Sequence, residues 1–499
     1  MSGIRKQTIQ SSLIVYVGFL VGAFNMYFYT KSGSFTPDQF GLTRLFFDFA
    51  QNIFAFASLG TVPVLYKFYP YFKDNLPDKK NDLLTWILLI SLLGFIIITL
   101  MGIVFEPLVV RKFAENSKLF LAFYYWVYPF SLGFLVFSVL ESYSWALQRS
   151  VVTNALKETG LRLLTTLLIL FYYFKLINYN QFVTLFSFLY IAIAIMLVIY
   201  LWRTNQLHIT FSISRVTKKF MKKMLGLQFF VFGGVVLNAV AITISGILIA
   251  VKMGLGETAV FTLAGYVASL IEIPQRSITS ISTGVLSRAW KDKDFNIINR
   301  VYHRSSINML LFAFLIFGNV WLNIAQGITL LNIQNEYLAG LSVVFVLGIA
   351  KIIDAGTGVN SVIIATSTFW KFEFYTNIIL LGLRIPAAYI LIQRYGILGP
   401  AYAELLSQVV YNFIRYEFLR RKFNMQPFNI ETLYTIILGI AAIAAIYFCF
   451  SGIDGWLGII LRAISFSGIL VAGTFILKLT PDALQLVDVA KARIQDWKK

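Results

Sequence analysis

The chain has 499 residues, of which 58% are hydrophobic, 16% aromatic and 13% charged, with a formal net charge of +19 and a mean hydropathy of +0.75. So few charges over this length cannot cover the surface of soluble domains, which excludes a cytosolic enzyme. Nor does the net charge point to nucleic acid, which needs a basic face turned to water, because the bases here are scattered between long apolar runs.

A bilayer core about 30 Å thick takes about 20 apolar residues per helix. The sequence predicts such spans at 9–29, 42–65, 83–105, 119–141, 154–174, 182–202, 225–251, 258–284, 305–325, 338–364, 373–393, 399–419, 431–450 and 456–477, fourteen in all. The fold class is therefore an all-α polytopic membrane protein with about 14 transmembrane helices. The first run follows Arg5 and Lys6. It is too long for the apolar region of a signal peptide and ends in Met26-Tyr27-Phe28-Tyr29-Thr30 rather than a small-residue cleavage site, so it counts as a span. Tyr66, Tyr69, Tyr71, Trp86, Tyr125, Trp126 and Trp202 fall near span ends, where an interfacial aromatic belt belongs.

Two basic segments read as amphipathic helices on the membrane surface: 213–224, with Ile213, Val216 and Phe220 at helical spacing among lysines, and 481–499, opened by Thr480-Pro481-Asp482. Alternate connectors differ sharply in charge: 29 Lys and Arg lie on the side of the N-terminus and 7 on the other. That bias predicts a multi-pass protein with both termini in the cytoplasm. The outer connectors are too short to fold as domains, so any chemistry belongs inside the helix bundle, and a membrane glycosyltransferase or polymerase is disfavoured.

The chain also repeats itself. Asp38-Gln39-Phe40-Gly41-Leu42 leads into a span closing at Lys67, and Glu257-Thr258-Ala259-Val260-Phe261 leads into one closing at Arg288, each with an acid at the outer end and a base at the inner end. The expected organisation is two six-helix lobes plus two further helices: an N-terminal lobe at 1–212, a basic connector at 213–224, a C-terminal lobe at 225–422, the added helices at 423–478 and a cytoplasmic tail at 479–499. Repeats of this kind let transporters place a central site between two halves.

Chemistry by covalent or metal catalysis has little to work with. Cys449 is the single cysteine, and His208 and His303 both sit in polar connectors, so no disulfide, metal cluster or catalytic residue is predicted. No G-x-x-x-x-G-K-[ST] phosphate loop occurs.

Charges inside spans are costly and are functional candidates by default. Arg44, Arg162, Arg276, Lys351, Arg384 and Arg462 are the bases, and Asp48, Glu141, Glu272, Asp354 and Glu404 the acids. Arg44 with Asp48 and Glu272 with Arg276 are spaced i, i+4, and Lys351 with Asp354 i, i+3, so each pair lies on one helix face. Arg384 has no partner on its own helix, and Glu404 on the next span is the candidate to supply one. Two readings stand at this point. The pairs neutralise each other and hold helices in register, or these eight residues line a water-filled cavity and bind a charged substrate or a coupling H+ or Na+. Pro274, Asp354-Ala355-Gly356-Thr357-Gly358-Val359-Asn360, Pro63, Pro129 and Pro386 predict helix breaks, which a membrane tolerates only where protein or a cavity satisfies the freed backbone. Arg162, Glu141 and Arg462 lie toward span ends, where long side chains reach the interface.

Lys6 to Tyr71, with Thr36-Pro37-Asp38-Gln39-Phe40-Gly41 and Ser58-Leu59-Gly60-Thr61-Val62-Pro63-Val64-Leu65-Tyr66-Lys67-Phe68-Tyr69, resembles the opening of polysaccharide-export flippases, which move O-antigen and other lipid-linked oligosaccharides and belong to the multidrug/oligosaccharidyl-lipid/polysaccharide flippase superfamily. The stretch Gly256 to Asp294 is similar to its second-half counterpart. The resemblance implies two six-helix lobes and alternating access. It also implies a polyprenyl-diphosphate-linked oligosaccharide as substrate, membrane lipids as surroundings, polysaccharide polymerases and ligases as partners, and the bacterial inner membrane in lipopolysaccharide or related polysaccharide synthesis as the setting. Arg276, Lys351 and Arg384 are then the cations suited to a diphosphate. The alternative within the same superfamily is a cation-coupled multidrug-type exporter.

Overall fold

The computed structural model describes residues 2–482; the predicted surface helix at 481–499 lies almost wholly outside them. Among the described residues the chain is helical, without β-strands. It divides into two compact units, Met1–Ala259 and Val260–Lys499.

Unit one holds α1 (Ser2–Thr30), α2 (Pro37–Ala57), α3 (Thr61–Asn75), α4 (Leu83–Val104), α5 (Glu106–Phe113), α6 (Lys118–Ala122), α7 (Val127–Ala146), α8 (Ser150–Asn154), α9 (Leu161–Tyr173), α10 (Tyr179–Ser187), α11 (Leu189–Arg203) and α12 (Arg215–Lys252). The chain passes through α13 (Leu255–Ser269) into unit two. There it forms α14 (Glu272–Lys291), α15 (Phe295–Leu330), α16 (Leu341–Gly356), α17 (Asn360–Thr366), α18 (Trp370–Tyr395), α19 (Leu398–Phe423), α20 (Ile430–Phe450) and α21 (Gly455–Ile476).

Local sequence explains where the helices begin. Thr36 caps α2: its Oγ1 accepts from the Gln39 backbone N–H while Gln39 Oε1 accepts from the Thr36 N–H, and Pro37 occupies the first turn, where its missing N–H costs nothing. Ser214 caps α12 by accepting from Thr217 N at 3.1 Å. With no proline within it, α12 runs unbroken for 38 residues despite Gly226, Gly233, Gly234 and Gly246. The surface segment predicted at 213–224 is therefore the first turns of this helix rather than a separate element. α12 packs on α2 and α3, and the compact units part at Ala259/Val260, later in the chain than the 212–225 connector read from charge.

All fourteen predicted spans fall on helical segments, but several consist of two shorter helices. Among the described residues eight helices are long and apolar enough to cross a membrane, or ten if each bent pair is one span, so length and apolarity alone do not reach fourteen. The two bent pairs are α2 with α3, at 54°, and α13 with α14, at 49°. They coincide with the two segments whose sequences match. In the first, Gly60 takes φ +75°, a left-handed conformation that a side chain disfavours, and the chain turns there into α3. Pro63, Pro129 and Pro274 each fall in the first turn of a restarted helix, where no intrahelical bond is lost; Pro386 alone of these lies inside a helix. The break predicted after Asp354 is also present, between α16 and α17, with Gly358 at φ +62°.

Unit one is filled by aromatic side chains. Phe130 stacks on Phe186 at 5.3 Å between centroids and meets Tyr190 edge-on at 5.2 Å, with Phe47 against the same three rings. In unit two, α15 is the central element, packed by α14, α16, α20 and α21. Arg462 of α21 is nearly buried and donates to the side chains of Asn323 and Gln326 and to the carbonyls of Phe450 and Ile453, so it holds the N-terminal part of α21 to α15.

Candidate functional site

Four helices of unit two gather polar side chains in one place. α14 brings Glu272, Gln275 and Arg276, and α16 brings Lys351 and Asp354, with Thr357 capping its end. α18 brings Glu373, Asn377 and Arg384, and α19 brings Glu404, Gln408, Tyr411, Asn412 and Arg415. Spacings of three and four put each set on one side of its helix, and the rise of about 1.5 Å per residue sorts them into layers a turn apart.

The first layer is a chain of five alternating charges. Arg276 Nη2 donates to Glu272 Oε2 at 3.0 Å, and Lys351 Nζ lies 2.7 Å from Glu272 Oε1 and 3.0 Å from Glu404 Oε1. Arg384 Nη2 completes it at 2.5 Å from Glu404 Oε2. Three bases face two acids, so the chain carries one net positive charge. Its inner members are largely covered, whereas the Arg276 side chain is 73% exposed. Such an arrangement meets the requirement that charges withdrawn from water be paired, and it leaves one guanidinium at the end free to meet a further anion.

A turn further along, Asp354 accepts hydrogen bonds from Gln275 Nε2 at 2.7 Å, from Asn412 Nδ2 at 3.0 Å and from Gln408 Nε2. The Asn412 carbonyl oxygen in turn accepts from Thr357 Oγ1 at 2.9 Å and Asn360 Nδ2 at 3.0 Å. The last layer is an ion pair between a buried Arg415 and a partly covered Glu373. Arg415 Nε donates to Glu373 Oε2 at 2.9 Å, its guanidinium stands 3.5 Å from the Tyr411 ring centre, and Tyr411 OH donates to Asn377 Oδ1 at 2.7 Å.

The structure thus joins Glu272, Arg276, Lys351, Arg384 and Glu404 into one network, including the expected Arg384–Glu404 contact between neighbouring helices. It does not form the pair expected between Lys351 and Asp354. The long lysine stem reaches past its own helix to two carboxylates, while the short Asp354 side chain is held by amides of α14 and α19. Arg415 and Glu373, which were not among the intramembrane charges read from the sequence, pair with each other, Arg415 buried and Glu373 partly covered. Gln275, Gln408 and Asn412 were not singled out from sequence. The signal was the run Glu404, Gln408, Asn412 and Arg415, polar residues recurring every three or four positions in a helix otherwise assigned to the membrane.

Within unit one, Arg44 Nη2 lies 3.1 Å from Asp48 Oδ1, as the spacing predicts, with Asp48 covered and Arg44 partly exposed. Asn52, one turn on, donates to Thr243 Oγ1 of α12 at 2.6 Å. A Cβ at Gly246 would overlap the Asp48 carboxylate, so the glycine lets α12 approach α2 at that depth. Glu141 pairs with Lys157 at 3.0 Å and Arg162 with Glu158 at 2.8 Å, which neutralises both within this unit.

An apolar groove of about 640 Å³ opens between α15, α16 and α20, lined among others by Phe317, Trp321, Phe345, Ile352, Ile443 and Phe448. Phe345, Ile349 and Ile352 lie on the face of α16 opposite Lys351, Asp354 and Thr357. One helix thus separates a greasy groove from a charged network. Among the described residues no group of His, Cys, Asp and Glu could hold a metal ion.

No protein-family model and no curated protein matches the sequence. Solved structures do match in fold. The chain superposes on the lipid II flippase MurJ in an inward closed conformation with a TM-score of 0.73 at 14% identity, over 94% of this chain and 98% of that one. It superposes on an inward-facing multidrug resistance MATE family transporter of the MOP superfamily with a TM-score of 0.61 at 15% identity, over 83% and 98% of the two chains. For the Vibrio cholerae MATE transporter VcmN in its bent form the values are 0.52, 12%, 84% and 97%. The fold is one shared with polytopic membrane transporters and flippases.

Proposed function

We propose that this protein is an alternating-access flippase that carries a polyprenyl-diphosphate-linked oligosaccharide across the plasma membrane for cell-surface polysaccharide synthesis. The observation that carries the reading is the five-member charge chain of unit two, paired along its length but left with one net positive charge and an exposed Arg276 at its end. A diphosphate would exchange its hydration for that guanidinium, which can hold two oxygens at once. The apolar groove on the other side of α16 has the lining a polyprenyl tail requires. A fold like that of the lipid II flippase supports the same substrate class. In this reading Arg276, Lys351 and Arg384 draw the anion, Glu272 and Glu404 keep the bases in place, and Arg44 and Asp48 serve as the corresponding polar pair of unit one. Polysaccharide polymerases and ligases would act on the delivered substrate, in the bacterial inner membrane.

A specific observation favours a second reading, cation-coupled export of small molecules. Asp354 is surrounded by three carboxamides and forms no ion pair among the described residues, the setting in which a carboxylate can exchange H+ or Na+. The two readings part in one experiment. Purified protein in vesicles is offered a lipid-diphosphate sugar or a cationic drug, with and without ion gradients, and compared with Arg276→Ala. Lipid movement that is lost in Arg276→Ala supports the flippase; drug efflux driven by an ion gradient, without lipid movement, overturns it.

A further inference from the structure

A second basic site lies in unit one, away from the charge chain of unit two in sequence and in structural unit. Between the end of α3, the 76–82 connector and the first turns of α12 is a cavity of about 830 Å³, lined by Tyr71, Asn75, Lys80, Ser212, Arg215 and Lys219 among others. Three cations line it and no carboxylate does. Asp82 is fully buried behind the rim, where its Oδ2 accepts from Ser214 N at 2.9 Å, Thr217 Oγ1 at 2.7 Å and Trp86 Nε1 at 3.1 Å. That carboxylate fixes the 76–82 connector to the start of α12 and gives the cavity a rigid wall. Lys80, Arg215 and Lys219 are exposed, and none of them forms an ion pair among the described residues.

The apolar side chains around this opening are as informative as the charges. Phe211 is 70% exposed and Ile209 and Ile213 are each more than half exposed, in a connector whose neighbour helix carries Lys218, Lys219, Lys222 and Lys223. Exposed aromatic and branched side chains beside a basic cluster, at the end of membrane helices, are the composition of a surface seated at the boundary of headgroups and acyl chains. The Ser212 hydroxyl in the same wall can donate to a phosphate oxygen. We propose that this cavity binds the headgroup of an anionic glycerophospholipid, with Lys80, Arg215 and Lys219 around the phosphate and Phe211 and Ile213 against the acyl region. The site is on the membrane face that carries most of the lysine and arginine, where anionic lipid is attracted to juxtamembrane bases.

The test is lipid retention by the purified full-length protein, read by native mass spectrometry after exchange into phosphatidylglycerol or phosphatidylcholine. The parent protein is expected to retain phosphatidylglycerol in preference. K80A/R215A/K219A is expected to lose that preference roughly a hundredfold, about fivefold for each base. The three positions are exposed, so the variant should fold; K80R/K219R, which keeps the charges, should bind like the parent. A second variant, K291A/R420A/R421A, removes three bases in unit two and is expected to retain the lipid. Equal loss in that variant would mean diffuse attraction rather than a site and overturns the proposal, as does equal retention of the two lipids by the parent. Inorganic phosphate and pyrophosphate are offered in competition: release of the lipid at millimolar concentration of either would assign the cavity to a soluble phosphate and refute the lipid.

Discussion

Glu404 is the residue whose loss the structure says should hurt most. It stands between Lys351 at 3.0 Å and Arg384 at 2.5 Å, with its side chain 15% exposed. Glu404→Gln keeps the shape and removes the charge. Lys351 would retain Glu272, but Arg384 would lose its ion partner, and its Nε already has no hydrogen-bond partner among the described residues. Leaving one member of a covered ion pair alone costs about 3–5 kcal/mol. The surviving Lys351–Glu272 contact puts this variant near the lower end, at about 3 kcal/mol. Reversible unfolding of the protein in mild detergent measures it. The cycle with Arg384→Gln isolates the pair, and a coupling of about 2 kcal/mol is expected, within the range for contacting residues. Arg276→Ala is the internal comparison, because a pair whose base is 73% exposed contributes at most about 1 kcal/mol. A Glu404–Arg384 coupling below about 0.5 kcal/mol, or a Glu404→Gln variant no less stable than Arg276→Ala, would refute the central place of Glu404 in the charge chain.

For Arg276→Ala itself, near-normal stability together with loss of lipid translocation is expected, and unchanged transport in vesicles would return the Glu272–Arg276 pair to a purely structural role. Gly246→Ala should destabilise by about 1–3 kcal/mol through overlap with Asp48, as overpacking typically does; the same unfolding assay should show part of that cost relieved in the double variant with Asp48→Ala. Membrane orientation can be read by labelling single cysteines in a Cys449→Ser background with a membrane-impermeant maleimide. Ser451→Cys is expected to react in intact cells and Lys79→Cys only after permeabilisation, and the reverse pattern would contradict cytoplasmic termini.

How much of the site was legible depends on how far apart its partners lie. Arg44 with Asp48 and Glu272 with Arg276 are one turn apart on their own helices, so spacing alone brings them together, and both pairs form. Lys351 and Asp354 obey the same rule and do not pair, because each finds better partners on neighbouring helices. The amides around Asp354 and the Arg415–Glu373 pair escaped notice for the related reason that uncharged polar residues and span-end charges carry no distinctive mark until a neighbour is known. The matched segments at 38–67 and 257–288 were visible as composition; their shared bend was not.

The amino-acid sequence by itself determined that this is a helical membrane protein, roughly where its apolar stretches run and which charges inside them need explaining. Those properties follow from the bilayer's thickness and from the cost of unpaired polar groups within it, both of which act on each segment independently. Only the tertiary structure decided which carboxylate each base meets, that the basic segment at 213–224 continues into α12, and that α16 carries a charged face and an apolar groove on opposite sides. Helical periodicity fixes the direction a side chain takes from its own axis, and the packing of other helices fixes what stands there.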